Sequence, residues 1–281
     1  MTHARYFFLF FLSTAFAFGI ASAQEITFGF RPPVPGQRSK SSTDMKLKMN
    51  LHVEAEGEAQ DVEIGNSKSL TWRETVVAVR DSASTQMKTV YDAFEEQNEN
   101  PMEEQGEKFA PAIGREYLID RRDTVTATAT DGRALPDTEM SYLRDQYSRI
   151  TFDEGFSAFV RGRSFRTGVK TVINKELAST VFEAIRDEKG VKEFSVTLRE
   201  TRVTGGIACG VFDIILRVQT DMGPLAVDMD ITGEAVMRIA DSRPVSFLLK
   251  GPMQMAASES AFAVSGSGEF RASMTRDYSG E

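Results

Sequence analysis

Asp44-Met45-Lys46-Leu47-Lys48-Met49-Asn50-Leu51-His52-Val53-Glu54-Ala55-Glu56 is the stretch on which the fold turns. Met45, Leu47, Met49, Leu51, Val53 and Ala55 alternate without a break with polar side chains. A helix would scatter such a pattern around its axis, whereas a strand returns to the same face every second residue. The stretch therefore predicts a strand with one apolar face and one solvated face.

Similar alternation continues on the C-terminal side. It predicts strands at about 69–80, 84–94, 115–122 and 124–130, with turn signals at Arg80-Asp81-Ser82 and Asp131-Gly132. Strand patterns return from Lys192, where Phe194, Val196 and Leu198 alternate before a Gly205-Gly206 turn. Val211–Val218 is apolar at both parities and predicts a strand covered on each side. Leu225–Ile239, Val245–Met255 and Phe262–Met274 complete the set.

A different regime separates the two groups. Pro136-Asp137 reads as a helix start, followed by Met140, Leu143, Tyr147 and Ile150 at helical spacing. A second helix is expected from Asn174, with Leu177, Val181, Phe182 and Ile185 as its buried stripe. Between them, Gly155, Gly162 and Gly168 punctuate an expected loop carrying Phe152, Phe156, Phe159 and Phe165. Those rings either line a ligand mouth or pack the loop against itself.

The expected fold class is mainly β with minor α. About ten strands form a curved antiparallel meander or half-barrel, with a two-helix insertion at about 136–190. One domain is expected over residues 44–281. Residues 1–23 read as a secretory signal: Arg5, an apolar run from Tyr6 to Ile20, then Ala21 and Ala23 before a cut at Gln24. The run is short for a bilayer span, so no transmembrane anchor is expected after cleavage, and the protein is expected to be exported, periplasmic or secreted. Residues 24–43, with Phe30-Arg-Pro-Pro-Val-Pro-Gly36 and the basic Arg31, Arg38 and Lys40, are expected to be a Pro/Ser-rich linker.

Composition narrows the function classes. The chain has 281 residues, 41 acidic side chains against 33 basic ones, a net charge of −8 and a single cysteine. An acidic chain argues against nucleic acid as a partner, and one cysteine rules out a disulfide framework. Once the signal is removed, His52 is the one histidine left, and its parity puts it on the solvated strand face. Pairing it with Ser or with Cys209 for nucleophilic catalysis has no support, because Cys209 precedes a strongly apolar strand. Asp228-Met-Asp230-Ile-Thr232 resembles the signature of haloacid-dehalogenase-type phosphatases. That family needs the motif at a strand end over an α/β sheet, whereas here the alternation runs on through Gly233 to Ile239. Glu95, Glu96, Glu99, Glu103, Glu104 and Glu107 crowd one acidic loop without a calcium-loop spacing. No enzyme activity, cofactor or metal is expected. Arg121-Arg122 and Arg161-Gly162-Arg163 with Arg166 are small basic clusters, the second expected to be a solvated loop, with an anionic head group or carboxylate as the alternative it could receive.

Two features of the expected apolar face remain. With short turns at Asp241-Ser242-Arg243 and Ser258-Glu259, Gly233 falls opposite Gly251 and Gly251 opposite Gly266. Such a line either permits sharp coiling or leaves a ligand groove. Met45, Met49, Met229, Met237, Met253, Met255 and Met274 are expected on the same inward face, as core filler or as the lining of an adaptable cavity. Gly233, Gly251, Gly266, Met229 and Met253 are thus the candidate ligand-groove residues.

The layout resembles uncharacterised exported bacterial β-rich proteins. The pieces that carry the likeness are Gly114-Arg-Glu-Tyr117-Leu-Ile-Asp120-Arg-Arg-Asp123, Thr130-Asp-Gly-Arg133 and the terminal strands at 225–275. It is also similar in layout to periplasmic lipoprotein-carrier half-barrels, an analogy of fold alone. The expectation is a non-enzymatic envelope protein holding an apolar ligand or acyl chain, such as a lipid, in a concave sheet. The alternative is an assembly module that meets an envelope protein through an exposed strand edge.

Overall fold

The computed structural model describes residues 24–55, 58–99, 110–148, 152–174, 190–222, 225–258 and 262–279. Thirteen strands and two helices follow in order: β1 (Glu25–Thr27), β2 (Arg38–Ala55), β3 (Glu58–Arg80), β4 (Ala83–Asn98), β5 (Glu116–Asp120), β6 (Thr126–Ala129), α1 (Asp137–Ser148), α2 (Phe152–Val160), β7 (Ser164–Arg166), β8 (Lys170–Val172), β9 (Val191–Thr204), β10 (Ile207–Met222), β11 (Leu225–Arg238), β12 (Pro244–Ser258) and β13 (Phe262–Ser279). Strands account for 68% of the structure and helix for 10%, as the two-residue periodicity predicts.

Eleven strands form one antiparallel, unclosed sheet in the order β6-β5-β4-β3-β2-β13-β12-β11-β10-β9-β8. Each half is a meander of neighbours in sequence. The halves join where β2 meets β13 along the full length of both, from Arg38↔Ser279 to Ala55↔Phe262. Two hairpins show why local sequence sets this meander. Asp81 and Ser82 both take positive φ between the paired Arg80 and Ala83, and Gly205-Gly206 do the same between Thr204 and Ile207. Two consecutive left-handed residues match the twist of the strands they join.

Several expectations change. Residues 38–43, expected in the linker, are the start of β2, and Glu25–Thr27 pairs with β7. Phe28 between them is fully buried against Phe165 and Phe212, a burial that contributes about 1.5–3 kcal/mol. Gly210 makes this possible, because a Cβ there would lie 2.4 Å from the Phe28 ring. The Gly29 amide also donates to the Ile239 carbonyl at 2.7 Å. One buried aromatic and a few backbone bonds thus outweigh the Pro/Ser composition. The expected phenylalanine loop is α2 in part, and Phe156, Phe159 and Phe165 pack among themselves and with Phe212 and Phe247. The helix expected from Asn174, the acidic loop beyond Glu99, the Ser258-Glu259 turn and residues 1–23 lie at or beyond the limits of the described residues.

β10 is buried at both parities at Val211 and Phe212, but from there on only along Ile214, Leu216 and Val218. Asp213 and Arg217, at the other parity, pair with Arg199 at 2.7 Å and Glu193 at 3.0 Å, which keeps that face solvated. Among the described residues no helix is long and apolar enough to cross a membrane.

Both helices lie against the apolar face. Tyr142, Leu143 and Tyr147 of α1 cover Leu70, Trp72, Tyr91, Tyr117 and Ile119, while Phe156, Phe159 and Val160 of α2 join Leu198, Phe212, Ile214 and Phe247. Two aromatic-rich cores result, one on each side of the β2–β13 seam.

Candidate functional site

The ladder registers place one apolar face across the whole sheet. Tyr117, Tyr91, Trp72, Leu51, Gly266, Met255, Ile231, Leu216 and Phe194 all share it, each strand contributing every second residue. Gly233, Gly251, Gly266, Met229 and Met253 lie on this face too. Their register differs from the expected one. Gly233 is opposite Leu249, Gly251 opposite Phe270, Gly266 opposite both Met255 and Leu51, and Met229 opposite Met253. The expected pairs miss by an even number of residues, so the face is kept and the partners change.

The space above these glycines is occupied by neighbours. Leu249 Cδ2 lies 2.6 Å from where a Gly233 Cβ would sit, Leu51 Cδ2 lies 2.4 Å from that of Gly266, and Met49 Cγ lies 2.7 Å from that of Gly268. Met49, Leu51, Val227 and Met253 form a small core there, with Met229 and Met255 packed against it. Met237 and Met274 are buried in the larger core, whereas Met45 is 40% exposed although it shares the apolar face.

At the helix-covered end the face becomes polar along β2 and β13. Ser41 and Arg276 are direct partners, as are Ser39 and Tyr278. The Arg276 Nε donates to Ser41 Oγ at 2.7 Å, and its Nη1 lies 2.9 Å from Asp153 Oδ2 of α2. Burial pulls the Arg276 guanidinium downward, but the charge of Asp153, with Tyr278 and Glu74 around it, holds it above its ordinary value. Burial pushes the Tyr278 phenol up to about 12, with Arg276 opposing. Asp241 in the β11–β12 turn sits 3.0 Å from Arg238, and both are buried. Arg243 donates to Gln37 Oε1 at 3.0 Å, which ties the turn to the segment before β2. From the other core, the Tyr147 hydroxyl donates to Glu74 Oε1 at 3.1 Å and bonds Thr89 Oγ1 at 2.8 Å, and burial raises its pKa well above the ordinary phenol value.

This seam floors an open groove of ≈ 670 Å³ between the two helix-covered cores. Leu70, Trp72, Val76, Met87 and Tyr91 line it from β3 and β4; Asp153, Ala158 and Arg161 line it from α2 and its C-terminal end; Phe30 and Arg31 come from the N-terminal segment. Sequence reasoning missed the polar floor. The available signal was parity: Arg276 and Tyr278 continue the inward series Phe270, Ala272, Met274, and a charge at an inward position has to be paired.

The remaining chemical candidates lie apart from this groove. His52 is on the exposed face, with Nδ1 2.7 Å from Asp61 and Nε2 3.2 Å from Glu54. Hydrogen bonds to Asp61 and then Glu54 raise its pKa above 6.5. A proton NMR titration is expected to place its midpoint above 6.5, and Asp61→Asn to move it back down. A raised folded-state pKa favours folding below 6.5, and this is lost as pH rises through the folded midpoint. Asp230 and Glu234 pair with Arg217 at 3.4 Å and Arg199 at 2.6 Å along the solvated face of β11, not at a strand end over an α/β sheet. Cys209 is fully buried, and burial raises its pKa. Among the described residues no three His, Cys, Asp or Glu side chains group as a metal site.

No family model and no curated protein matches the sequence. Solved structures match at low identity and low TM-score. One titled "Lipid-protein interactions in lipovitellin" is 10% identical over 87% of this chain, with a TM-score of 0.42. The chain spans about a quarter of that protein's length, 25%. A DUF1329 family protein from Desulfovibrio piger is 10% identical over 80% of this chain and 83% of its own, with a TM-score of 0.16. A putative outer membrane lipoprotein-sorting protein domain from Vibrio parahaemolyticus is 9% identical over the same shares, 80% and 83%, with a TM-score of 0.17. At these scores the functional reading rests on the residues of this chain.

Proposed function

We propose that this protein is a non-enzymatic, exported carrier or receptor that holds an apolar ligand or acyl chain against the apolar face of its sheet. The observation that carries the reading is the groove. One side of an unclosed eleven-stranded sheet is apolar except for the polar band of β2 and β13, and over that band, between its two helix-covered cores, it opens into ≈ 670 Å³. That volume falls in the range of about 300–1,000 Å³ typical of small-molecule sites. Phe30 and Val76 give it accessible apolar surface, and Leu70, Trp72, Met87 and Tyr91 line it from the buried core. A core built only for stability would close at close-packed density, because empty apolar space forfeits dispersion contacts.

The test is to purify the processed chain from its native host without detergent, extract it with organic solvent and identify the extract by mass spectrometry. An acyl-chain compound near one equivalent per protein is the expected result. A chain that purifies empty, and that then fails to take up a fluorescent acyl probe, overturns the reading.

A further inference from the structure

The groove is not electrically uniform, and its charges sort into satisfied and unsatisfied ones. Its carboxylates are all engaged: Asp153 with Arg276 at 2.9 Å, Glu154 with Arg121 at 3.1 Å, Asp241 with Arg238 at 3.0 Å, Glu74 with the Tyr147 hydroxyl at 3.1 Å, and Asp81 with Arg80 at 3.6 Å. Arg161, Arg31 and Arg38 line the same groove, all three exposed, and among the described residues none has a carboxylate partner. The Arg161 guanidinium instead lies 3.8 Å from the centre of the Phe30 ring. Stacking uses the flat face of a guanidinium and leaves its in-plane N–H donors free, and that fork matches the oxygens of a carboxylate or phosphate. Partial burial pulls the Arg161 pKa down, although the residue stays exposed to water. Phe30 is itself 36% exposed, an apolar ring held in place beside the charge.

We infer that Arg161, lying over the Phe30 ring in a groove that Arg31 and Arg38 also line, is the head-group site of the groove, taking the oxyanion of an amphipathic ligand whose chain lies over the accessible apolar surface at Phe30 and Val76. The inference rests on the acyl-binding reading above and specifies its ligand as anionic, with a carboxylate or phosphate head. In a chain of net charge −8 a negative ligand is repelled over most of the surface, so a local group of three uncommitted arginines defines where its head is accepted.

The test uses the delipidated, processed chain and three twelve-carbon ligands: dodecanoate, dodecyl phosphate and dodecanol. Acetate and inorganic phosphate are measured beside them. Calorimetry is expected to show at least one anionic ligand bound about tenfold tighter than dodecanol, the worth of one charge-assisted hydrogen bond. Arg161→Met is expected to bring that ratio close to one, and Arg161→Lys to restore part of it. Arg199→Met, at an ion pair on the opposite face, is expected to leave the ratio unchanged. The carboxylate and phosphate arms separate a free fatty acid from a phospholipid-type head. Equal binding of dodecanol and both anions by the unmodified chain overturns the head-group site while the acyl-binding reading stands. Binding of acetate or inorganic phosphate as tight as their dodecyl counterparts also overturns it, since the site would then serve a free anion. Failure of all three dodecyl ligands to bind overturns both readings.

Discussion

Arg276→Met is expected to cost about 3–5 kcal/mol of stability, read as a fall in the urea midpoint of the processed chain. Arg276 stands on the apolar face of β13, where its guanidinium meets Asp153 at 2.9 Å and Ser41 at 2.7 Å. Both members of the ion pair are largely shielded, with side chains 17% and 10% exposed. Removing the arginine strands the Asp153 carboxylate in a site with little water, and that desolvation dominates the loss. The double variant Arg276→Met with Asp153→Leu is therefore expected to recover most of it, because replacing both charges by apolar groups of similar size leaves nothing uncompensated. The pair also ties α2 to the strand where the two halves of the sheet meet. Acyl-probe binding is expected to weaken in both variants, since the helix wall of the groove loses the ion pair that ties it to β13. A single variant within about 1 kcal/mol of the unmodified chain would show that the pair is solvated and not structural.

The split between what the sequence revealed and what it withheld follows from the range of each interaction. Strand content was legible because alternation is local: Met45 to Ala55 declares its two faces within a dozen residues, and the hairpins at Asp81-Ser82 and Gly205-Gly206 set their own geometry. The shared face of Gly233, Gly251 and Gly266 was legible for the same reason, as parity survives an even error in register. Their partners were not, because register depends on the length of each turn. The β2–β13 pairing joins residues more than two hundred positions apart, and neither strand carries a local mark of the other. Phe28 was hidden by its neighbourhood: a lone apolar residue among prolines and serines reads as linker until the cleft above Gly210 is known. The head-group candidate was half visible. Arg161 belonged to a basic cluster noted beside the phenylalanines, but its lack of a carboxylate and its stacking on Phe30 are tertiary facts.

Those facts also explain how one sheet provides both a core and a groove. Had the apolar face been uninterrupted, α1 and α2 would have a single surface to pack on. Ser39, Ser41, Arg276 and Tyr278 form a polar band at the middle of the covered end, and the two helices settle on either side of it. Farther along the same strands the band gives way to Gly266 and Gly268, where Leu51 and Met49 from the adjacent strand fill the space the glycines leave.

Gly251→Ala tests that coiling directly and is expected to destabilise the chain by about 3 kcal/mol, the upper end of the usual penalty for overpacking. A Cβ built at Gly251 lies 2.0 Å from the Asp230 carbonyl oxygen and 2.9 Å from Ile231 Cα, both backbone atoms of β11. A side chain can rotate away from a new methyl group, but a paired strand cannot without breaking its ladder. Pro252 follows directly and has no amide to donate, so β12 is already poorly tied to β11 at this point. The glycine lets the two backbones close up at this point. Gly132→Ala supplies the contrast: Gly132 has φ +76 with nothing within 4 Å of an added Cβ, so only the left-handed backbone resists, at about 1–2 kcal/mol. Urea unfolding of the two variants separates a steric cost from a conformational one. The same proteins, titrated with an acyl probe, separate the two uses of the glycine line. Coiling alone makes the Gly251 variant unstable but leaves its residual folded fraction able to bind. A ligand lying on Gly251 makes binding fail at urea-free conditions where the chain is still folded. Stability within about 0.5 kcal/mol of the unmodified protein, the range of a neutral surface change, would mean that β11 and β12 are not held in contact at this residue.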